Sequence, residues 1–273
     1  MRLLVASIRK LIRRPATFIT LGLLVGLMAL IFIAVGATAK QQPTAVAREA
    51  SLMLVTFPDA YAFIVSFIIG LGGLFGVIYA AAIAGSEWTW GTLKAAVARG
   101  ESRSRYQLLS LAAIALVLGV GILIAFAIGV VVALIGAGLA GAPTAGLSDS
   151  TTLGQLPELL GRGWFALVEE GVLGFTIATL ARSQLAGVGV GIAVYFAEQF
   201  ATIFLPDVVK YLPFHAADAV VATNGGGGGF GGGNGGAQLA QLDPNAAILV
   251  VAAWLVAGLV VTALFTERAE ISG

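Results

Sequence analysis

Three glutamates are the residues most able to do chemistry in this chain. Glu169, Glu170 and Glu198 fall inside long apolar runs. An ionised carboxylate at the centre of a bilayer costs about 2.5–3.5 kcal/mol on insertion scales. At depth, these groups suit the polar wall of a substrate path, or a patch that senses protons or cations, with Arg162 above them. Close to the membrane surface they would be ordinary, so their depth decides their meaning. His215 is the only histidine and cysteine is absent, so no metal-ligating set and no catalytic dyad is expected. His215 itself reads as a loop residue. The glycine tract at 224–236 (NGGGGGFGGGNGG) imitates a phosphate-binding loop, but no GK[ST] follows and no strand precedes it. It reads as a flexible connection. No P-loop occurs elsewhere, so no nucleotide cofactor is expected on this chain.

The elements that must position those glutamates follow from composition. Of 273 residues, 59% are hydrophobic and only 11% are charged, and the mean hydropathy is +0.98. Soluble domains carry about a quarter charged residues. A net charge of +1 offers no general attraction for nucleic acid. Six apolar runs stand out, at Phe18–Ala37, Tyr61–Gly85, Leu108–Ala140, Trp164–Ala181, Gln184–Leu205 and Ala246–Thr266. Backbone groups in hydrocarbon must be satisfied internally, so these runs predict helices. No ten-residue alternation of polar and apolar residues supports a barrel. The expectation is an all-α, polytopic membrane protein with six transmembrane helices, forming one domain over 1–273. The basic N-terminus, followed by an apolar stretch and Ala37-Thr38-Ala39, imitates a signal peptide. Its apolar part exceeds the usual ~7–15 residues, so a retained span is expected. Pairs of glycines four apart, at Gly22/Gly26, Gly72/Gly76 and Gly187/Gly191, predict close helix contacts.

Charge predicts the orientation. With the N-terminus inside, inner segments hold Arg2, Arg9, Lys10, Arg13, Arg14, Lys94, Arg99, Arg103, Arg105, Arg182 and Arg268. Outer segments hold only Lys40, Arg48, Arg162 and Lys210. This bias puts both termini in the cytoplasm, and the expected location is the plasma membrane.

Three segments are not spans. Residues 1–16 form an amphipathic pattern with Arg2, Arg9 and Arg13 on one face, which suits an interfacial helix at anionic headgroups. Residues 86–107 (SEWTWGTLKAAVARGESRSRYQ) predict a short helix over Thr92–Ala98, stopped at Arg99-Gly100. Ser102 or Ser104 is placed to cap the next helix. Such a helix between two spans fits a groove on a cytoplasmic partner, with Leu93 and Val97 buried on association and arginines at the rim. Residues 206–245 form a long outer segment whose first half is apolar enough to dip back toward the bilayer.

The pattern Glu87-x-x-x-Gly91-Thr92-Leu93-Lys94…Arg99-Gly100-x-Ser102-Arg103-Ser104-Arg105 resembles the permease subunits of type-2 ABC exporters. The N-terminal amphipathic helix resembles that family's elbow helix. Leu212-Pro213-Phe214 is similar to its outer loop, and Phe265–Ile271 to its closing tail. The resemblance implies a dimer of six-span permeases, each docked on a cytoplasmic ABC ATPase that carries the ATP and Mg. Glu87, Gly91, Thr92, Leu93, Val97, Arg99, Arg103 and Arg105 would couple the two subunits, with Glu87 pairing at the ATPase contact. The chain itself would then be a transport subunit and not an enzyme. Two other readings stand beside it. An ion-coupled carrier or channel would use the three glutamates, although no inverted repeat is evident. A membrane scaffold or intramembrane enzyme would need a catalytic pair that the sequence lacks.

Overall fold

The computed structural model describes residues 2–222 and 242–269. Among these residues every regular element is helical. The chain runs α1 (Arg2–Ile12), α2 (Pro15–Thr38), α3 (Ala45–Val55), α4 (Asp59–Thr89), α5 (Thr92–Ala98) and α6 (Arg103–Ala140). It continues with α7 (Ser150–Ala181), α8 (Gln184–Ala201), α9 (Pro206–Val209), α10 (Pro213–Val220) and α11 (Pro244–Arg268).

Local chemistry explains the boundaries. Proline opens α2, α9, α10 and α11, where its missing N–H loses no hydrogen bond. Thr44, Asp149, Ser183 and Asp243 accept backbone N–H bonds at the starts of α3, α7, α8 and α11. The half-buried Asp149 carboxyl also accepts from the Thr152 hydroxyl at 2.6 Å. Those bonds hold it below the usual carboxylate range. Ser102 occupies the cap position of α6, but its side chain makes no capping bond.

Five helices are long and apolar enough to cross a membrane: α2, α4, α6, α7 and α11. They mark the chain as a membrane protein. The sixth expected run is shorter than the sequence suggests. Its helix, α8, has 18 residues and ends at Ala201, with Gln184, Glu198 and Gln199 diluting its apolar character. It stays outside that set of five. The longest helix, α6, has 38 residues and so extends about 57 Å, nearly twice the ~30 Å hydrocarbon thickness. Two features of the helix pattern were not evident in the sequence. The α3 helix fills the segment before α4, and α7 begins at Ser150, well before the expected Trp164, with Pro157 inside it.

The core gathers on α4 and α7, which bury most of their apolar length. Gly174 lets α7 meet the α4 backbone, since a Cβ there would lie 2.3 Å from the Val77 carbonyl oxygen. Gly187 and Gly191 serve α8 in the same way against Ala178 and Val77. Gly22 and Gly26 differ from the expectation, because a Cβ on either meets nothing within 4 Å. The contact of α2 with α6 is made instead by Gly36 and Gly136, backbone against backbone. The helices α2, α6 and α11 leave most of their apolar surface uncovered, as helices bathed in lipid or in a partner do.

Candidate functional site

Two polar clusters built on buried glutamates, one on Glu87 alone and one on several acids, are held about 21 Å apart along α4, the 14-residue distance from Gly73 to Glu87. The first lies where α1, α4, α5 and α6 converge. The sequence placed Glu87 at the start of a loop. The α4 helix instead continues through Thr89, so Glu87 sits in its last turn and is buried. One carboxyl oxygen pairs with the Lys10 ammonium of α1. The other accepts from the Thr92 hydroxyl and, at 2.7 Å, from the Tyr106 hydroxyl of α6. Both oxygens are therefore engaged inside the chain. A pairing of Glu87 at a contact with another subunit would compete with these internal partners.

Around this joint, Arg14 donates to Ser86 Oγ at 2.8 Å and lies 5.1 Å from the centre of the Trp90 ring. Arg182 sits over Trp88 and Phe265 at 5.3 and 5.4 Å, fastening the α7–α8 turn to α4 and α11. It holds a left-handed backbone at φ 50°, uncommon for a residue with a Cβ. Arg103 donates to the Ala269 carbonyl at 2.6 Å, so it is engaged with the end of α11.

The short helix α5 has the expected bounds. Gly91 turns the chain into it with φ 67°, and Gly100 turns it out with φ 88°. Its burial pattern differs from the expectation, because Leu93 is buried within the chain and Val97 partly so. The face left to solvent carries Lys94, Ala95, Ala98 and Arg99, with Arg105 exposed beyond it. Of the surface arginines, Arg9 and Arg13 are exposed, and Arg2 lies on α1 with its side chain outside the described residues.

The second cluster brings Glu169 and Glu170 of α7 together with Glu198 of α8, as their charges anticipated. Both α7 glutamates are about 1% exposed, which places them in the interior of the bundle. Glu170 rests on Gly73 of α4, where a Cβ would come within 2.3 Å of its carboxyl oxygens. Glu198 Oε2 accepts the backbone N–H groups of Phe214 and His215 at 3.1 and 3.3 Å, at the start of α10. It also lies 3.3 Å from His215 Nδ1. His215 is thus more than a loop residue.

Asp218, one turn along α10, joins the same group and escaped the sequence reading entirely. It keeps some contact with water, yet burial pushes its carboxyl up to about 7, opposed by nearby His215 and reinforced by Glu198. One oxygen each of Glu169, Glu170 and Glu198 has no hydrogen-bond partner. Arg162 does not cover them. It pairs with Glu158 at 2.6 Å and reaches Asn245 at 3.4 Å. No group among the described residues has the arrangement of a metal site. The glycine tract at 224–236 lies outside the described residues.

Residues 31–269 match the family described as "Protein of unknown function (DUF2705)", and the chain belongs to that family. No curated protein matches the chain.

Proposed function

We propose that this chain is the membrane-spanning permease subunit of an ATP-driven type-2 exporter, working in the plasma membrane as a dimer with a separate cytoplasmic ABC ATPase. The observation that carries the proposal is the joint around Glu87. It binds α1, α4, α5 and α6 into one rigid unit, and α5 presents Lys94, Ala95, Ala98 and Arg99 outward from it. A short helix held this firmly passes a push from a docked motor to α4 and α6, where a loose loop would absorb it. In this reading α1 is the elbow helix on the inner leaflet, α8 is the sixth span, and both termini are cytoplasmic. The path for substrate runs along Glu169, Glu170 and Glu198. Glu87, Thr92, Leu93, Val97 and Arg103 build the coupling unit from within, while Arg99 and Arg105 meet the partner.

Co-expression with a P-loop ATPase encoded beside this chain is expected to yield a stable complex whose transport is inhibited by vanadate. Gly91→Val places a β-branched residue at positive φ and tilts α5 away from its seat. ATP hydrolysis is then expected to continue while transport falls at least tenfold. Coupling that survives Gly91→Val counts against the reading. Orientation is tested with single cysteines in this cysteine-free chain. Asp207→Cys is expected to react with an impermeant reagent on intact cells, and Arg105→Cys is not.

A second reading is favoured by one observation, the three carboxyl oxygens left without partners. An ion-coupled carrier would use them to load and release a proton or cation. Transport driven by a proton gradient without ATP, and abolished by Glu198→Gln, would select it.

A further inference from the structure

Between α1, α2, α4 and α6 lies a cavity of about 450 Å³. Leu21, Leu24, Phe75, Leu116 and Val120 form much of its wall, and Ile8 and Ile12 of α1 border one end. The few polar groups on that wall are already engaged. The Thr17 hydroxyl donates to the Leu11 carbonyl at 2.7 Å and meets Tyr79 Oη at 3.0 Å, and the Thr20 hydroxyl donates to Ala16 at 2.7 Å. No acidic residue lines the space. An occupant therefore gains only by burying hydrocarbon. One water needs about 10–15 Å³ of such space, so the slot has ample room for a long acyl chain.

The charge at the α1 end is specific. Four of the five basic residues of α1 and its following turn divide into two pairs, and the fifth, Arg2, opens the helix. Lys10 and Arg14 face inward and are bound to Glu87 and Ser86. Arg9 and Arg13, one helical turn apart, are exposed and have no acidic partner among the described residues. Each follows directly on a residue that lines the cavity, Ile8 or Ile12. Two guanidiniums beside an apolar slot match a phosphate ester carrying a long chain, because the planar fork pairs with two phosphate oxygens. We propose that this slot is a specific site for an anionic phospholipid, with one acyl chain between α2, α4 and α6 and the phosphate at Arg9 and Arg13. The proposal is independent of the exporter reading, since it needs neither a motor nor a transported substrate.

The test uses the full chain reconstituted in vesicles of equal phosphatidylglycerol and phosphatidylcholine, then extracted in mild detergent for native mass spectrometry. The unaltered chain is expected to retain one phosphatidylglycerol per copy and no phosphatidylcholine. The Arg9→Gln/Arg13→Gln pair, both exposed, is expected to lower retention at least fivefold with unchanged thermal unfolding. Gly121→Phe fills the slot from a position with nothing within 4 Å of a Cβ, and is expected to exclude lipid altogether. Arg48→Gln, at an exposed arginine of α3 outside the lining of the slot, is expected to behave as the unaltered chain. Equal retention of both lipids, or unchanged retention in the double arginine variant, overturns the proposal. So does efficient disulfide formation between two copies of Ile124→Cys, which would make the slot a seam between subunits.

Discussion

The two buried polar clusters sit on the same helix scaffold and are built on opposite principles. At the α1 end, one glutamate receives a cation and two hydroxyls, so both oxygens of Glu87 are satisfied. At the other end, four acids share one histidine and two backbone N–H groups, and three oxygens go without. Burying a polar group without a partner costs about 1–3 kcal/mol in protein measurements, so the second arrangement is expensive where the first is stabilising. A satisfied carboxylate holds parts together. An unsatisfied one is open to a proton, a cation or a polar solute. The contrast gives the first cluster the role of a joint and the second that of a lining.

Neutral and truncating substitutions test that contrast, because their expected signs differ between the clusters. Glu87→Ala is expected to be the most damaging, at about 3–5 kcal/mol, since it strands the Lys10 ammonium and two hydroxyls. Thermal unfolding in detergent reads the loss, and a change below about 1 kcal/mol would end the description of Glu87 as a joint. Gly73→Ala is expected to cost about 2 kcal/mol by driving a methyl into the Glu170 carboxyl. Combining it with Glu170→Ala should restore much of that loss, which a double-mutant cycle measures.

The third test is pH. Because the folded Asp218 carboxyl is raised from its ordinary 3.8 to about 7, its neutral form is the one the fold prefers. Stability is therefore full below about pH 4 and declines as pH rises through 7, by about 1–2 kcal/mol given its residual contact with water. Asp218→Asn is expected to flatten that slope. Smallest of all, Glu170→Gln is expected to leave stability unchanged or raise it by about 1 kcal/mol, the reverse of the Glu87 result. A loss of 3 kcal/mol there would make the two clusters alike.

The sequence carried some of this plainly. Long apolar runs located α2, α4, α6, α7 and α11, because a helix in hydrocarbon has little freedom to be anything else. Gly91 and Gly100 marked both ends of α5, because each turn there needs positive φ. What stayed hidden was pairing over distance. Lys10 and Glu87 are 77 positions apart, and nothing local distinguishes Lys10 from the arginines beside it. The extension of α7 back to Ser150 was masked by a polar, proline-bearing stretch that packing and the Asp149 cap hold helical. Asp218 escaped notice because a short helix in an apparent loop gave no sign that it folds back beside Glu198 and Glu170. Leu93 was assigned to a partner contact because it is apolar and lies on a short helix outside the spans, yet the fold buries it within the chain.

The crossing of α2 and α6 at Gly36 and Gly136 has a geometric consequence. The two backbones meet there with no Cβ between them, and the contact runs on along both helices, with Met28 of α2 seated against Gly129 of α6. Gly36 lies 19 residues from Thr17, so the crossing and the cavity occupy opposite ends of α2, about 28 Å apart. The glycine pair draws the two helices together at one end, while the cavity at the other end holds them apart.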